Sequence, residues 1–432
     1  MIPKRNLSRL HVRASLLVLA IRGTMQTDSV SSKMTLSILW LGRIIPVPFN
    51  AGDRVYSAQL SGAVARQGAD VTFFGLENPD ERGGSLADLE PRVRWRRVRG
   101  AAHARLRSLF SPLPMVGARF ATAQYRKAIA GEVEKNDYDV VVIDQYGMSW
   151  AVAHVKSVSR NRPLLVQLAH NFETDLNDQI ARNFSGDFIR KRLLQENARK
   201  TRLAELHLAQ SCNLLVTLTE EDRAAFGEIN PSLASIVLPP GYAGGKQDVR
   251  SLNETVPRRA IIIGSFRWIA KQINLERLLH VANVIFVQNR IELYVIGFVP
   301  EPLLSRLRAQ YPWVVFRGFV EDLDEECRGA RVALVPEEVG GGFKLKTLDY
   351  IFSRVPVASV EAALNGIPDR LKAHFIVESD IRALLRAIVK VIDDIDRLDR
   401  MQKCAFEVAE GLFNWDANAG RLMEALTSLA DR

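Results

Sequence analysis

Three consecutive glycines followed closely by two lysines are the residues whose types and spacing point most directly to chemistry. They lie in the segment PEEVGGGFKLKTLD, which begins at Pro336. Glycines between a predicted strand and a predicted helix cost ordering entropy and pack little, so they predict a backbone that approaches a ligand closely. Lys344 and Lys346 follow at the helix start, where the macrodipole disfavours cations unless an anion binds. The segment therefore predicts a phosphate site, with a flexible surface turn as the alternative.

A second cationic loop follows the apolar run at residues 260–263. The sequence GSFRW begins at Gly264, and Lys271 lies a few residues further on. Arg267, Lys271 and the start of a helix would bring two cations and a helix N-terminus to one phosphate-sized position. We therefore expect a diphosphate clamp here. The alternative is a pair of exposed cations beside Trp268, packed at a domain boundary.

Two further loops carry candidate binding residues. The loop GRIIPVPFNAG, residues 42–52, precedes a helix that Asp53 can cap, and the amides at that helix start favour an anion. His170 directly follows an apolar run, at the point where a strand of a doubly wound domain offers polar groups to a ligand. A ligand-free connection and a structural histidine are the alternatives. The chain contains neither a dinucleotide-binding glycine fingerprint nor a P-loop.

These loops require a particular arrangement of strands and helices. Short apolar runs alternate with longer amphipathic ones from Met34 onward, which is typical of βα units and a parallel sheet. Predicted strands lie at residues 36–41, 71–74, 140–143, 164–168 and 214–218, and again at 260–263, 291–296, 314–316, 333–336 and 355–360. The predicted fold class is α/β, with two doubly wound domains of the Rossmann type whose strand ends and helix starts line a shared cleft.

The predicted domain boundaries follow from a stretch rich in proline, glycine and polar residues near position 240. We expect an N-terminal extension at residues 1–33, a first domain at 34–240, a linker at 241–256, a second domain at 257–415, and a C-terminal helix at 416–432 that returns to the first domain. The extension is interpreted as disordered or as a misassigned start, with a membrane-surface anchor or an export signal as alternatives. Its apolar run of eight residues is shorter than the roughly 20 that span a bilayer.

Composition excludes several classes of protein. The chain has 432 residues, 47% of them hydrophobic and 25% charged, which excludes disorder, collagen and a coiled coil as the main architecture. Three cysteines, far apart in sequence, provide no disulfide framework and no cysteine-rich metal site, which favours a reducing cytoplasmic compartment. The net charge of +9 comes from the N-terminal extension and from the run Arg92–Arg107, which has seven arginines and no acid. A membrane surface, a solvated patch and nucleic acid are its candidate partners.

The chain resembles the retaining nucleotide-sugar glycosyltransferases of family 4, which have the two-domain GT-B fold. The resemblance runs from Met34 to the end and is most specific in RGFVEDLDEECRGARVALVPEEVGGGFKLKTLDYIFSRVPVASVEAALNGI. The segments PVPFNAGDR and GSFRW are similar to a bacterial polysaccharide-synthesis branch. Two positions depart from the pair of glutamates that the family often has: Gly341 stands at the earlier position, and Asp349, one methylene shorter, stands at the later one. Glu337 and Glu338 lie nearby but out of register.

The resemblance implies a role for each candidate residue. Asp349 would accept hydrogen bonds from the nucleotide ribose, and His170 would contact the donor sugar. Arg267 and Lys271 would hold the diphosphate. The donor and the phosphate side of the cleft would also be lined by Gly52, Gly264, Gly340, Gly341, Gly342 and Lys344.

The expected function is therefore glycosyl transfer from a nucleotide-diphosphate sugar to a polysaccharide or lipid-linked acceptor. Retention is what the resemblance implies, and with cations placed to stabilise the leaving group no metal and no further cofactor are expected. We interpret Asp322 and Asp324 as part of a helix start rather than a metal site. The expected location is the cytoplasmic face of the inner membrane, contacted through Arg92–Arg107, without nucleic acid. A catalytically inactive nucleotide-sugar-binding partner protein and a nucleotide-sugar epimerase are the alternatives.

Overall fold

The structure is a computed structural model that describes residues 35–49, 51–77 and 85–431. The predicted N-terminal extension at residues 1–33 lies outside the described residues. Within the described part, strands and helices alternate as the apolar pattern predicts. No helix there is long and apolar enough to cross a membrane.

The first domain is built on a seven-stranded sheet in which every pairing is parallel, in the order β3-β2-β1-β4-β5-β6-β7. The strands are β1 Ser37–Ile44, β2 Asp70–Leu76, β3 Arg94–Val98, β4 Val140–Asp144, β5 Leu164–Ala169, β6 Leu214–Thr217 and β7 Ala234–Val237. The helices are α1 Gly52–Arg66, α2 Met115–Phe120, α3 Ala123–Lys135, α4 Ala151–Val158, α5 Glu173–Asn183, α6 Phe188–Ser211 and α7 Glu220–Ile229. Short 3₁₀ helices lie at Leu86–Asp88, Arg105–Phe110 and Tyr146–Met148.

The second domain has a six-stranded parallel sheet in the order β10-β9-β8-β11-β12-β13. Its strands are β8 Arg259–Ile263, β9 Glu292–Ile296, β10 Val315–Gly318, β11 Val332–Val335, β12 Val357–Val360 and β13 Ile376–Glu378. Its helices are α8 Ile269–Gln288, α9 Glu301–Gln310, α10 Leu323–Arg328, α11 Lys346–Phe352, α12 Asp369–Lys372, α13 Ile381–Val391, α14 Ile395–Ala409 and α15 Trp415–Ala430, with a 3₁₀ helix at Glu361–Ala363. The predicted fold class, two doubly wound parallel-sheet domains, is confirmed.

Both sheets reverse their strand order in the middle, and three of the candidate loops, those after β1, β8 and β11, lie at these reversals. In the first sheet the order reverses between β1 and β4, and in the second between β8 and β11. Loops that leave neighbouring strands there diverge to opposite faces and open a crevice, where open α/β sheets bind ligands. The glycine-rich loop follows β11, and the GSFRW loop follows β8. The topology therefore brings these two loops side by side.

The start of α1 differs from the sequence-based prediction. The helix begins at Gly52 with Ala51 as its N-cap, and Ala51 makes no side-chain cap hydrogen bond. Asp53, predicted to cap the helix, lies inside the first turn, and its carboxylate pairs with the Arg43 guanidinium. The capping prediction was wrong because an ion partner from the end of β1 takes the carboxylate. The prediction for Asp322 was right: its side chain accepts a hydrogen bond from the Glu325 amide, 2.9 Å, and caps α10.

The arginine run forms an edge strand, which was not predicted from the sequence. Strand β3 pairs in parallel with β2, and the Trp95 ring packs against Phe73 with ring centroids 4.9 Å apart. Arg94 forms an ion pair with Asp70 at 2.7 Å, and Arg97 forms one with Glu77 at 3.2 Å. Part of the positive charge of this run is therefore neutralised within the sheet edge.

The last helix packs against the first domain. The α15 residue Asp416 accepts hydrogen bonds from the Arg66 guanidinium of α1 at 2.8 and 3.0 Å. Trp415 contacts the Tyr56 ring edge-on, with centroids 5.2 Å apart. These contacts hold α15, the last helix of the chain, against α1 of the first domain.

Candidate active site

The glycine-rich loop faces the first domain. The amide of Gly340 donates to the side-chain oxygen of Gln179 on α5 at 3.1 Å. A Cβ atom on Gly341 would lie 3.9 Å from the Asn171 side chain, which belongs to the loop between β5 and α5. The loop after β11 therefore contacts the loop after β5 across the interdomain cleft.

Gly342 occupies the position in this loop that demands glycine most strictly. Its φ of +62° lies in the left-handed region. A Cβ atom here would lie 2.0 Å from the Asn171 Oδ1 atom and 2.7 Å from the His170 carbonyl oxygen. Both backbone conformation and interdomain contact therefore exclude a larger residue.

A cluster of lysines lies beside the glycines. Lys344 donates from its ammonium to the carbonyl oxygens of Gly341 and Gly342, so it stabilises the loop conformation. Burial, together with nearby Lys346 and Lys271, lowers the pKa of Lys344 to about 8, although Glu337 opposes this shift. Because burial and neighbouring cations lower the pKa of both Lys344 and Lys271, the site favours the addition of an anion.

Lys346 has a carboxylate partner that the sequence did not reveal. Its ammonium lies 2.5 Å from Glu337 Oε1, and both side chains are buried. The second carboxylate oxygen of Glu337 has no hydrogen-bond partner within the described residues. Glu337, out of register with the family's earlier acid, therefore still brings a carboxylate to the lysine cluster.

The start of α8 carries the two predicted clamp cations. Burial lowers the pKa of Lys271, as does Lys346, although Glu337 and Asp53 oppose the shift. The Arg267 guanidinium lies over the Phe298 ring, 4.3 Å from its centroid, and is close enough to Arg54 to lower the pKa of that residue, which burial lowers most. Lys271 is therefore close to Asp53, and Arg267 is close to Arg54. Asp53 and Arg54 both belong to the N-terminal turn of α1.

Gly264 has a different environment from the other candidate glycines. Its amide, just after the end of β8, donates a hydrogen bond to the carbonyl of Ile296, the last residue of β9, at 3.0 Å. Its carbonyl oxygen would lie 2.1 Å from a Cβ atom on Gly297, whose φ is +110°. The three atoms nearest to a Cβ on Gly264 would all belong to the Phe266 ring, the first of them at 3.5 Å. Gly264 therefore packs the loop against β9.

The N-terminal turn of α1 forms the opposite wall of the cleft. A Cβ atom on Gly52 would lie 2.8 Å from the Leu345 side chain, so glycine lets α1 approach the start of α11. Burial alone would raise the pKa of Asp53, but Arg43 and His170 outweigh it and hold that pKa below its usual value. An ionised carboxylate and its arginine partner therefore lie across the cleft from Lys271.

His170 is held by a buried carboxylate at the end of β4. Its Nε2 atom lies 2.8 Å from Asp144 Oδ1, and Asp144 Oδ2 accepts a hydrogen bond from the Trp40 indole at 2.9 Å. A carboxylate only accepts hydrogen bonds, so Nε2 carries a proton and donates it to Asp144. The Tyr56 ring packs edge-on against the imidazole, with centroids 5.2 Å apart. This geometry fixes the orientation of the ring.

Asp349 lies in the first turn of α11 with a free carboxylate. Within the described part of the chain, its side chain forms no hydrogen bond and no ion pair. Burial, with a smaller contribution from Asp324, raises the pKa of Asp349 to about 6. A partly buried carboxylate without a donor is an acceptor for hydroxyl groups of a ligand.

Another contact between the domains lies beside the glycine-rich loop. The Arg277 guanidinium on α8 donates to the Asn183 side chain at the end of α5, 2.6 Å, and lies 3.3 Å from the Glu338 carboxylate. Glu338 in turn accepts a hydrogen bond from the Ile381 amide at 3.0 Å. Arg277 therefore links α5 of the first domain to the loop that carries the glycines.

The residues that sequence reasoning missed are those whose partners are distant in the chain. Asp144 and Gln179 lie at the site, yet Asp144 is an ordinary polar residue at a strand end and Gln179 is one on a helix. Among the described residues, no group of three or more histidine, cysteine, aspartate or glutamate side chains could hold a metal ion.

Two facing parallel-sheet α/β domains, with strand ends and helix starts lining the cleft, define the GT-B fold. Residues 257–394 match the family model Glyco_trans_1_4, described as "Glycosyl transferases group 1". No curated protein matches the chain.

Solved structures share this architecture at low sequence identity. Sucrose-phosphate synthase from Thermosynechococcus elongatus has a TM-score of 0.67 at 15% identity, covering 91% of this chain and 99% of that chain. HepE of Anabaena, solved with UDP and glucose, has a TM-score of 0.64 at 13% identity, covering 91% and 100%. WaaG, a glycosyltransferase involved in lipopolysaccharide biosynthesis, has a TM-score of 0.60 at 16% identity, covering 90% and 99%. The family match and the shared fold support a GT-B glycosyltransferase.

Proposed function

We propose that this protein transfers a sugar from a nucleotide-diphosphate sugar to a polysaccharide or lipid-linked oligosaccharide acceptor. The observation that carries the proposal is the contact of the glycine-rich loop with the His170–Asn171 turn across the cleft, beside a cluster of lysines. HepE binds UDP and glucose in its crystal structure, and WaaG acts in lipopolysaccharide biosynthesis, which supports a nucleotide sugar and a glycan acceptor. The proposed location is the cytoplasmic face of the inner membrane.

The lysine cluster is suited to the leaving group of such a reaction. When the bond from the anomeric carbon to the diphosphate breaks, negative charge grows on the diphosphate oxygen. Lys271, Arg267 and the N-terminus of α8 would stabilise that charge, each good donor contributing roughly 3–4 kcal/mol in the transition state. Retention of anomeric configuration and transfer without a metal are part of the proposal, because the required positive charge comes from side chains.

The two domains divide the remaining tasks in this proposal. Asp349 would accept hydrogen bonds from the ribose hydroxyls of the donor, and His170 would present its Nδ1 atom to the donor sugar. The amides of Gly341 and Gly342 would approach the diphosphate. The acceptor would enter beside Asp53, where a cavity of the first domain is lined by residues that include Arg43 and Gln145.

A nucleotide-sugar-binding protein without transferase activity is the second candidate, because Gly341 stands where the family often has an acid. A thermal-shift panel of nucleotide sugars tests binding first, since a ligand at about 100 times its Kd adds about 2.7 kcal/mol of stability. Transfer of labelled sugar to isolated polysaccharide or lipid-linked acceptors then separates an enzyme from a binding protein. Conversion of the donor into another sugar nucleotide without acceptor would identify an epimerase. No shift with any nucleotide sugar would contradict the proposal.

The raised pKa of Asp349 gives a pH-dependent prediction. In the unfolded chain this carboxyl ionises near its usual pKa of 3.8, whereas in the folded protein it ionises near about 6. The native state is therefore favoured at low pH and loses this contribution as pH rises through the folded pKa. The stability of Asp349→Asn relative to wild type should grow by about 1 kcal/mol between about pH 5 and pH 7, measured by urea denaturation without ligand.

The control for this prediction is Asp369→Asn, because the Asp369 side chain is 97% exposed. That variant should show no such pH-dependent difference from wild type. Asp349→Asn should also lose most of the thermal shift caused by the donor. A difference from wild type that is independent of pH would rule out the perturbed carboxyl as the origin of the effect.

A further inference from the structure

The turn that carries His170 and Asn171 is anchored by side chains from other elements of the first domain. This β5–α5 turn, residues 170–174, leads into helix α5, whose N-cap residue Phe172 makes no side-chain cap hydrogen bond. The first amides of a helix have no partner within the helix, so another group must satisfy them where water does not. The local sequence therefore leaves the start of α5 without a cap of its own.

Glu205 supplies the missing cap from helix α6. Its Oε1 atom accepts a hydrogen bond from the Glu173 amide at 2.9 Å. Its Oε2 atom accepts from the Thr174 amide at 2.8 Å and from the Thr174 hydroxyl at 2.7 Å. The Glu205 residue is 1% exposed. Hydrogen bonds to an ionised acceptor are stronger than neutral ones, so these three fix the first turn of α5 relative to α6.

A second buried acid holds the same turn. Asp222 of α7 is 5% exposed, and its Oδ1 atom accepts a hydrogen bond from the Phe172 amide at 2.9 Å. Its Oδ2 atom accepts from the Thr219 hydroxyl at 2.7 Å, which holds the Asp222 carboxylate in place. Asp144 of β4 contacts the His170 imidazole at 2.8 Å. Carboxylates from three separate elements, β4, α6 and α7, therefore hold the β5–α5 turn.

The anchored turn and helix α5 carry contacts of the first domain with the glycine-rich loop. The Glu173 carboxylate accepts a hydrogen bond from the Asn171 side-chain nitrogen at 3.0 Å, which leaves Asn171 Oδ1 facing Gly342. Further along α5, the Gln179 side chain accepts from the Gly340 amide at 3.1 Å. A shift in the start of α5 would move both contacts, because both belong to this helix and the turn before it.

Stability alone does not account for an acid at position 205. Burial raises the pKa of Glu205 to about 8, and Glu173 also raises it, although the Thr174 hydroxyl and the two amides act in the opposite direction. Because the folded pKa lies above the usual 4.5, the stability that the protonated group contributes is lost as pH rises from about 4.5 through about 8. Ionisation of this acid therefore disfavours the folded state at neutral pH, and a role in positioning accounts for it better.

We propose that Glu205 is a positioning residue for sugar transfer, which acts through the β5–α5 turn on His170 and Asn171. This inference rests on the proposed function, in which His170 contacts the donor sugar. Glu205 itself does not contact substrate. A displacement of about 1 Å in an active site can lower the rate about a hundredfold, so a loosened turn lowers kcat. The second domain would bind the nucleotide, and the affinity for the nucleotide should therefore not depend on Glu205.

Steady-state kinetics of Glu205→Gln tests the proposal. The amide keeps the size of the carboxyl group but replaces one acceptor by a donor, which then faces a donor of the turn. We expect kcat per folded molecule to fall at least about tenfold, while the Kd for UDP, or for the nucleoside diphosphate of the best donor, stays within about twofold of wild type. Thr174→Val removes one of the three hydrogen bonds and keeps the side-chain shape, and it should lower kcat about two- to fivefold.

A double-mutant cycle separates positioning from a general structural role. Asn171→Ala removes the side chain that faces Gly342. Because Glu205 acts through the same turn, Glu205→Gln/Asn171→Ala should lose at least about threefold less kcat than the product of the two single losses. Glu196→Gln is the matched control, because it removes a carboxylate of the same helix whose partner is Arg199, at 2.8 Å on the surface. It should keep the wild-type kcat.

The results that would overturn this inference differ from those that would overturn the proposed function. A wild-type kcat in folded Glu205→Gln, an equal loss in Glu196→Gln, or single losses that multiply in the double variant would each contradict positioning by Glu205. A parallel loss of UDP affinity would show general damage instead. Should Glu205→Gln not fold, a wild-type kcat in Thr174→Val contradicts the inference. Absence of transfer by wild type with every donor would overturn the proposed function and this inference with it.

Discussion

Gly342→Ala should lower the rate of sugar transfer at least about a hundredfold. A Cβ atom at this position would lie 2.0 Å from the Asn171 side chain and 2.7 Å from the His170 carbonyl, so the two domains would have to separate. A displacement of about 1 Å in an active site can reduce the rate about a hundredfold. The φ of +62° adds strain of about 1 kcal/mol to this steric effect. Initial rates of transfer, with the donor found in the thermal-shift panel, measure the change.

The matched control is Gly411→Ala. Gly411 also has a positive φ, +84°, but a Cβ there would meet nothing within 4 Å. This variant therefore carries a similar backbone strain without the interdomain clash, and it should transfer sugar at close to the wild-type rate. Equal rates for the two variants would show that the approach of the glycine-rich loop to the first domain is not required for transfer.

Lys271→Ala should lower kcat about a hundredfold to a thousandfold, because a preorganised donor to developing charge is lost. The stability of the protein without donor should not fall. Burial and Lys346 already lower the pKa of Lys271, so the folded state holds this cation at a cost that the substitution removes. Activity and stability are thus expected to change in different directions. Initial rates and urea denaturation of the same preparation provide the two measurements.

Lys390→Ala, which removes an exposed lysine on α13, is the control for loss of one positive charge. It should leave kcat and stability close to wild type. If Lys271→Ala instead lowers stability and leaves kcat of the folded fraction unchanged, then Lys271 is a structural residue and its place in the proposed mechanism is wrong.

The sequence predicted the interior strands of both sheets well, because each is buried and reads as a continuous apolar run. Strands β4 and β11, VVVID and VALV, are examples. Of the four edge strands, β10 was predicted at residues 314–316, whereas β3, β7 and β13 were missed. Strand β3 reads RWRRV, a pattern typical of a charged surface rather than of a buried strand. An edge strand leaves one row of backbone groups unpaired, and charged side chains there protect it from pairing with other chains. Strand β7, ASIV, has no fully buried residue, and β13 has only three residues, so neither reads as a buried apolar run.

The candidate site could be predicted only as far as local sequence specifies it. Three glycines and two lysines pointed to the loop after β11, and the loop lies at the strand-order reversal. Of the residues that meet it from the first domain, Asn171 directly follows the candidate His170, whereas Gln179 on α5 has no local signal. Both contacts depend on how two distant parts of the chain approach each other. Lys344 likewise donates to carbonyls of its own loop, which its spacing alone did not indicate.

The cations between the two domains are central to the proposed function, because they would bind the diphosphate of the nucleotide sugar. Calorimetric titration of wild type and Lys271→Ala with UDP, or with the nucleoside diphosphate of the best donor in the panel, measures this most directly. We predict one site per chain in wild type, an affinity that falls as salt increases, and at least about tenfold weaker binding in the variant. Equal affinity of the two proteins for the diphosphate, or no binding by wild type, would contradict the proposed function.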